Sequence, residues 1–127
     1  MALGTKQARG TYAIGVKRSI IGMRVINDQS EDLGKIEDVI LDTRNSRAGY
    51  AILSFGGILG MGDKHFAIPW EALTFDLTEK VAVINIEKDR LSKAPGFDKD
   101  AWPDIADDAW GAKVYDYYGF RPHWEIV

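Results

Sequence analysis

Short apolar segments separated by turn residues make up most of the first two thirds of the chain. Four of them are strand-sized and lie at residues 50–55, 65–69, 73–76 and 81–86. Segments of this length that are rich in β-branched residues predict strands. Several strands at such even spacing predict a small antiparallel barrel or sandwich, so we expect a mainly β protein.

The segment after Gly34 fits two structures, because Ile36, Val39 and Ile40 could also form a helical stripe. Its short length and its β-branched residues favour a strand. In a regular strand Asp38 shares a face with Ile36 and Ile40, which makes it a candidate buried polar residue unless a bulge shifts the register. A buried carboxylate must be hydrogen-bonded or protonated.

The pattern becomes helical in the last third of the chain. Apolar residues recur there at i, i+4, i+7 and i+8, namely at Trp110, Val114, Tyr117 and Tyr118. Acidic residues precede this stripe, and Gly119 follows it where a left-handed C-cap is expected. Gly111 inside the helix costs about 1 kcal/mol relative to alanine. The aromatic stripe must therefore pack on the barrel or on a partner chain.

Composition narrows the class of protein. The chain has 127 residues, a net charge of −3 and no cysteine. The charge argues against a general nucleic-acid binder, and the lack of cysteine excludes disulfides, thiolate zinc sites and cysteine nucleophiles. No apolar segment reaches the roughly 18 residues that span a bilayer, and no secretory signal is recognisable, so we expect a cytoplasmic protein.

We divide the chain into a flexible basic arm, a barrel domain and a helical extension that packs on the barrel or on a partner, at residues 1–18, 19–90 and 91–127. The first 26 residues hold five basic and no acidic side chains, so the remainder carries 11 basic against 19 acidic ones, or −8. Such an arm is either a solvated terminus or a contact for RNA or anionic lipid.

A glycine-rich loop at residues 56–62 invites comparison with phosphate-binding loops. It does not fit, because a Walker loop needs serine or threonine after its lysine, whereas His65 follows Lys64 here. We expect a connection between two strands that needs positive φ angles. Its apolar tip either folds onto the core or forms a contact patch, with Ile58, Leu59 and Met61 as the candidates.

We find no pattern typical of catalysis, cofactor binding or metal binding. His65 and His123 have no metal-ligand spacing, and no serine or cysteine nucleophile stands beside them. His65 is therefore a candidate buried polar residue. Asp98 and Asp100 resemble the start of a calcium loop, but Trp102 and its proline occupy the next ligand positions. We expect no catalytic residue, cofactor or metal.

An ordered series of short motifs between residues 19 and 103 resembles the PRC-barrel family, which occurs in the photosynthetic reaction centre H subunit and in the ribosome-maturation factor RimM. The series comprises Ile21-Gly22, Val25, Leu33-Gly34-Lys35-Ile36-Glu37-Asp38, Asp42, Tyr50, the glycine loop with Asp63-Lys64, Ile68-Pro69-Trp70, Pro95-Gly96-Phe97 and Trp102-Pro103. The resemblance implies a six-stranded, partly open antiparallel PRC-type β-barrel that binds proteins and has no shared catalytic residues. We recognise neither a transmembrane helix nor an RNA-binding segment before the barrel in this sequence, so we expect neither a reaction-centre nor a ribosomal role.

We therefore expect a non-enzymatic, cytoplasmic protein-interaction module that forms a homodimer and has neither a specific nucleic-acid site nor a membrane span. Large aromatic and apolar residues are typical interface anchors. The candidate surface comprises Ile58, Leu59, Met61, Trp110, Tyr117, Tyr118, Phe120 and Trp124. Two alternatives stay open: a small-ligand-binding barrel with its mouth near Asp38 and His65, and contact with RNA or anionic lipid through the basic arm.

Overall fold

A computed structural model describes residues 13–55 and 64–125. These ranges contain seven strands: β1 (Arg24–Ile26), β2 (Asp32–Asp42), β3 (Arg47–Phe55), β4 (Lys64–Pro69), β5 (Leu73–Asp76), β6 (Val81–Ile84) and β7 (Gly96–Asp98). They contain two α-helices, α1 (Lys88–Ser92) and α2 (Asp108–Tyr117). Single turns of π- or 3₁₀-helix cover Val16–Ile20, Trp70–Ala72 and His123–Glu125. The strands expected at 50–55, 65–69, 73–76 and 81–86 are confirmed, although β3 begins three residues earlier and β6 ends two residues earlier than expected.

The strands form one sheet in the order β5-β6-β1-β2-β3-β4-β7. Within the described ranges β5 and β7 are its two ends, so this sheet is not closed into a barrel. The expected six-stranded, partly open antiparallel barrel is therefore wrong in its closure, and it is also wrong in its strand count and in the direction of one strand pair. Residues Gly96–Asp98 pair with β4 as a seventh strand, and β1 pairs with β6 in parallel. The mainly β class with a C-terminal helix is confirmed.

Neighbouring residues of β3 point to opposite faces of the sheet, and side chains are buried on both faces. Leu53 and Phe66 lie on what we call the inner face, within the larger core. Ile52 lies on the outer face, within a smaller core that α2 covers with Val114 and Tyr115. These last three side chains are fully buried. The helical stripe predicted from the sequence thus packs on the sheet.

A bulge in β2 explains why the expected position of Asp38 is wrong. Ile36 pairs with Leu53, and Asp38 pairs with the next residue of β3, so Glu37 is the extra residue. The shift turns Ile36 toward the inner face and Ile40 toward the outer face, although regular alternation would put them together. Asp38 is exposed.

The connection from β1 to β2 is organised by Asn27, which is only 1% exposed. Its side-chain oxygen accepts hydrogen bonds from the backbone N–H groups of Gln29 and Glu31. Its amide group donates to the carbonyl oxygen of Ile86 at 3.2 Å. Asn27 therefore shapes a hairpin that has no Asn-Gly or Asp-Gly turn and attaches it to the segment after β6.

Helix α2 begins and ends as its sequence predicts. Asp107 is the N-cap, and its carboxylate accepts a hydrogen bond from the backbone N–H of Ala109 at 2.9 Å. Gly119 follows the helix with a φ of +82°, which favours glycine. Neither α2 nor any other helix in 13–55 and 64–125 is long and apolar enough to cross a membrane.

Candidate functional site

A cleft of about 430 Å³ lies between the turn that joins β2 to β3, the start of α2 and the turn His123–Glu125. Clefts of a few hundred Å³ can hold a small ligand or the side chains of a partner. Its main lining residues are Ile40, Leu41, Asp42, Arg44, Tyr50, Ile105, Asp108, His123 and Trp124. The chain elements that meet here are far apart in sequence, so the cleft depends on what holds them together.

One wall of the cleft is a chain of hydrogen bonds that we call the C-terminal clamp: Asp108, Arg44, Asp42, His123 and Tyr115. The Nε2 of His123 donates to the Oδ2 of Asp42 over 2.9 Å. Its Nδ1 lies 2.9 Å from the hydroxyl of Tyr115. The clamp thus attaches the segment after α2 to the end of β2.

Arg44 extends the clamp to the start of α2. Its guanidinium contacts Asp42 at 2.9 Å and Asp108 at 3.1 Å. Hydrogen bonding to Arg44, followed by that to His123, holds the pKa of Asp42 well below its usual range, although partial burial acts against this. The same two carboxylates raise the pKa of Arg44 further. At neutral pH the Asp42 carboxylate is therefore ionised and paired with the guanidinium cation of Arg44.

The buried end of the clamp is the hydroxyl of Tyr115. It donates to the carbonyl oxygen of Gly49 at 2.7 Å and lies 3.4 Å from the Oε1 of Glu71. Burial raises the pKa of Tyr115 well above its usual value. The order of carboxylate, imidazole and hydroxyl is that of a catalytic relay. In this protein Tyr115 is fully buried and both ring nitrogens of His123 are hydrogen-bonded. The arrangement therefore holds the segment after α2 against the end of β2.

Tyr50 forms the floor of the cleft. Its ring packs against Trp110 and Tyr115, with centroid distances of 5.7 and 5.5 Å. Its hydroxyl has no hydrogen-bond partner within the ranges that the structure describes. Burial, with smaller contributions from the charges of Asp108 and Asp42, raises the pKa of Tyr50 to about 12. The cleft therefore offers a neutral hydroxyl beside an ion pair.

Gly111 allows α2 to approach this floor. A Cβ at this position would collide with the Tyr50 hydroxyl and stand 2.7 Å from an atom of the Trp124 ring. The helix-weakening glycine noted in the sequence is therefore a packing requirement.

The structure divides the candidate interaction residues between two places. Trp110 and Trp124 are half-buried around Tyr50 and Tyr115, next to the cleft. Tyr117, Tyr118 and Phe120 lie elsewhere, along a smaller cleft of about 270 Å³. Ile58, Leu59 and Met61 lie outside the described residues. The described members of the expected surface thus do not form one patch.

The smaller cleft contains a reciprocal link between α1 and the end of α2. Arg90 donates to the carbonyl oxygen of Tyr117 at 2.7 Å, and the Tyr117 hydroxyl donates to the carbonyl oxygen of Arg90 at 2.6 Å. The hydroxyl of Tyr118 is buried there without a partner among the described residues, and burial raises its pKa.

His65 and Asp38, the two candidate polar residues, are not brought together. They lie on β4 and β2, and β3 runs between these strands. His65 is 7% exposed and its ring contacts Phe97 and Trp102, with centroids 5.9 and 6.0 Å away. Within 13–55 and 64–125, its Nδ1 has no hydrogen-bond partner, and no cluster of residues could hold a metal ion.

The clamp was not predicted from the sequence. Asp42 stood out only through the family resemblance, while Arg44 and Tyr115 carried no signal. The one hint in the sequence is that Tyr115 follows Val114 of the apolar stripe, which places both on the buried side of α2.

Comparison with known proteins gives a family and a number of structural likenesses. The sequence matches the PRC-barrel domain family over residues 17–91, more than half of the chain. A solved structure described as a 16S ribosomal RNA processing protein, RimM, from Pseudomonas aeruginosa is 16% identical, with a TM-score of 0.39. The match covers 56% of this chain and 43% of that one, so it spans less than half of that protein. No curated protein matches the chain.

Proposed function

The chain belongs to the PRC-barrel domain family, and from this premise we propose that it is a non-enzymatic binding module that holds a protein partner in the cleft beside the C-terminal clamp. The observation that carries the proposal is the surface around Tyr50, where an aromatic floor meets an exposed apolar side chain and a charged rim.

The composition of the cleft is typical of an interface anchor. Leu41 is 63% exposed at its edge, and Trp124 is half-buried beside it. Arg44 and Asp108 stand on the rim, with side chains 56% and 48% exposed. Binding energy at protein interfaces concentrates on aromatic and arginine side chains near an apolar centre, surrounded by a polar rim.

The clamp supports a binding role because it preorganises the cleft. The side chains that position the walls are hydrogen-bonded within the protein, so little conformational entropy is lost when a partner docks. Its tyrosine hydroxyl is buried, and both nitrogens of the His123 ring are hydrogen-bonded within the protein, which supports a role without catalysis.

The test compares the proteins captured by three forms of the full chain. Leu41→Glu places a charge in the cleft, and Val16→Glu places one on another exposed apolar residue that is 44% exposed. We expect cross-linked partners of the wild type to be captured by Val16→Glu and lost from Leu41→Glu. Capture of the same partners by both variants would contradict docking in the cleft.

The expected homodimer stays a prediction. If the partner is a second copy, light scattering at micromolar concentration should give twice the monomer mass for the wild type and the monomer mass for Leu41→Glu. A wild type that is only monomeric would remove the homodimer and leave a different protein as the partner.

A further inference from the structure

We propose that the outer face of the sheet carries a second site, which binds the phosphate group of a small nucleotide-like ligand. The site is a row of side chains on four adjacent strands. Arg24 on β1 pairs with Lys35 on β2, Lys35 pairs with Ser54 on β3, and Ser54 pairs with His65 on β4. Directly paired residues share a face of the sheet, with Cβ atoms about 5 Å apart.

The inner-face residues beside this row fix its orientation. Val25, Ile36, Leu53 and Phe66 are buried in the inner core, one on each of the four strands. Alternation along each strand therefore turns the row outward. Arg24 and Lys35 are exposed, so the cationic end of the row is open to a ligand.

Two like charges stand opposite each other at this end. Arg24 and Lys35 form no ion pair with any residue in 13–55 or 64–125. Like charges directly opposite each other on neighbouring strands destabilise a sheet. The nearest acids along β2 are Glu37, Asp32 and Asp38. The carboxylates of Asp32 and Asp38 accept hydrogen bonds from the backbone N–H groups of Gly34 and Val39. An anion between the two cations would remove the repulsion.

The other end of the row offers polar groups that a phosphate can engage. His65 is more than nine-tenths buried, and its Nδ1 is without a hydrogen-bond partner among the described residues. A buried polar atom without a partner costs free energy that a ligand can recover. Ser54 supplies a hydroxyl between His65 and Lys35. Phosphate oxygens accept hydrogen bonds from a lysine ammonium, from a serine hydroxyl and from an imidazole N–H, so His65 contributes when its ring presents an Nδ1–H to the ligand.

The exposed ring of Trp102, which lies next to His65, indicates what kind of molecule bears the phosphate group. Trp102 is 42% exposed, and its ring lies 5.0 Å from that of Phe97, which pairs with His65. Three strand spacings, about 14 Å, separate Lys35 from Phe97. A planar ring stacked on Trp102 can thus be joined to a phosphate near Lys35, as in a mononucleotide.

The first test follows the two histidines by NMR while ligand is added. His65 and His123 are the only histidines of the chain, so His123 in the clamp is an internal control. The probes are adenosine 5′-monophosphate, inorganic phosphate and adenosine. We expect the nucleotide to shift the His65 ring signals with a Kd below about 1 mM and to leave His123 unchanged, phosphate to bind more weakly, and adenosine most weakly. Unchanged His65 signals would overturn the proposal.

The second test compares substitutions at Lys35 and Lys113, two exposed positions at which a change should leave the fold intact. Lys35→Met should weaken nucleotide binding about tenfold, because a charge-assisted contact is lost. Lys113→Met removes a charge from the exposed side of α2 and should leave the Kd unchanged. Equal weakening by both variants would mean general charge attraction and would contradict the site.

A third arm distinguishes a terminal phosphate from a nucleic-acid backbone. A short single-stranded oligoribonucleotide without terminal phosphates should bind no more tightly than the mononucleotide. Binding of the oligoribonucleotide alone would overturn the proposal, because diester groups would then be the feature recognised.

Discussion

Asp42 is the residue on which the C-terminal clamp depends. Its carboxylate, 11% exposed, bonds both Arg44 and His123. These partners stabilise the ionised form, so the pKa of Asp42 lies below its value in the unfolded chain. A carboxyl group of this kind stabilises the fold above its unfolded pKa of about 4, and this contribution is lost as the pH falls toward the folded pKa.

Asp42→Asn should therefore lower the free energy of unfolding by about 1 kcal/mol or more at neutral pH, because a charged hydrogen-bond acceptor is removed. The difference from the wild type should shrink below about pH 4. Urea unfolding at several pH values measures it, with the exposed Asp100→Asn as the control. A difference that does not change with pH would contradict the assigned role of the carboxylate.

At the scale of single residues, the sequence indicates whether a side chain is buried or caps a helix, but it does not indicate which distant residue the side chain contacts. The burial of His65 follows from its position in an apolar segment, and Asp107 is recognisable as a helix cap. The bond between Asp42 and His123 joins residues 81 positions apart, and no local pattern reports such a contact. Side-chain networks between distant segments are set by the fold.

Gly111 decides how close α2 lies to the sheet. Replacement by alanine favours the helix by about 1 kcal/mol, but it forces a Cβ into the Tyr50 hydroxyl, and such overpacking costs about 1–3 kcal/mol.

We expect Gly111→Ala to destabilise the protein, and Tyr50→Phe to remove part of that cost by removing the hydroxyl. A double-mutant cycle in urea measures the coupling between the two positions. Independent, additive effects would contradict the close approach.

The elements themselves were largely predictable, and the exceptions share a cause. Apolar segments located β3 to β6, and the aromatic stripe located α2. The bulge at Glu37 was offered only as an alternative, because one extra residue changes the face of a side chain without changing the sequence pattern. Strand β7 has three residues, too few to show alternation.

At the scale of the whole molecule, the two cores share one sheet. Adjacent residues of β3, such as Ile52 and Leu53, belong to opposite cores. Because both cores pack on β3, loss of packing in one core would displace the strand on which the other core depends. This sharing favours a single cooperative transition.

We expect urea unfolding followed by far-UV circular dichroism and by tryptophan fluorescence to give the same midpoint. Trp102, Trp110 and Trp124, three of the four tryptophans, report on the outer side of the sheet. Val114→Ala should shift both curves together, by about 2 kcal/mol. A fluorescence change that precedes the loss of strand signal would show that α2 detaches independently.

The family resemblance predicted the mainly β architecture of the whole molecule, and the sequence match over residues 17–91 agrees with it. The open order of the strands could not be read from the sequence, because pairing between strands depends on which edges meet in space. The pattern of apolar residues shows which face of a strand is buried, but it does not show which other strand pairs with each edge.

The parallel pairing of β1 with β6 has a consequence for how the protein is made. Translation delivers Arg24–Ile26 early, and β2 can pair with one edge of this strand at once. The other edge of β1 pairs with Val81–Val83, which are synthesised after most of the remaining strands. Contacts between such distant segments slow folding. The junction of β1 and β6 is thus a late step, and a nascent chain stalled before residue 81 would expose a central strand to chaperones.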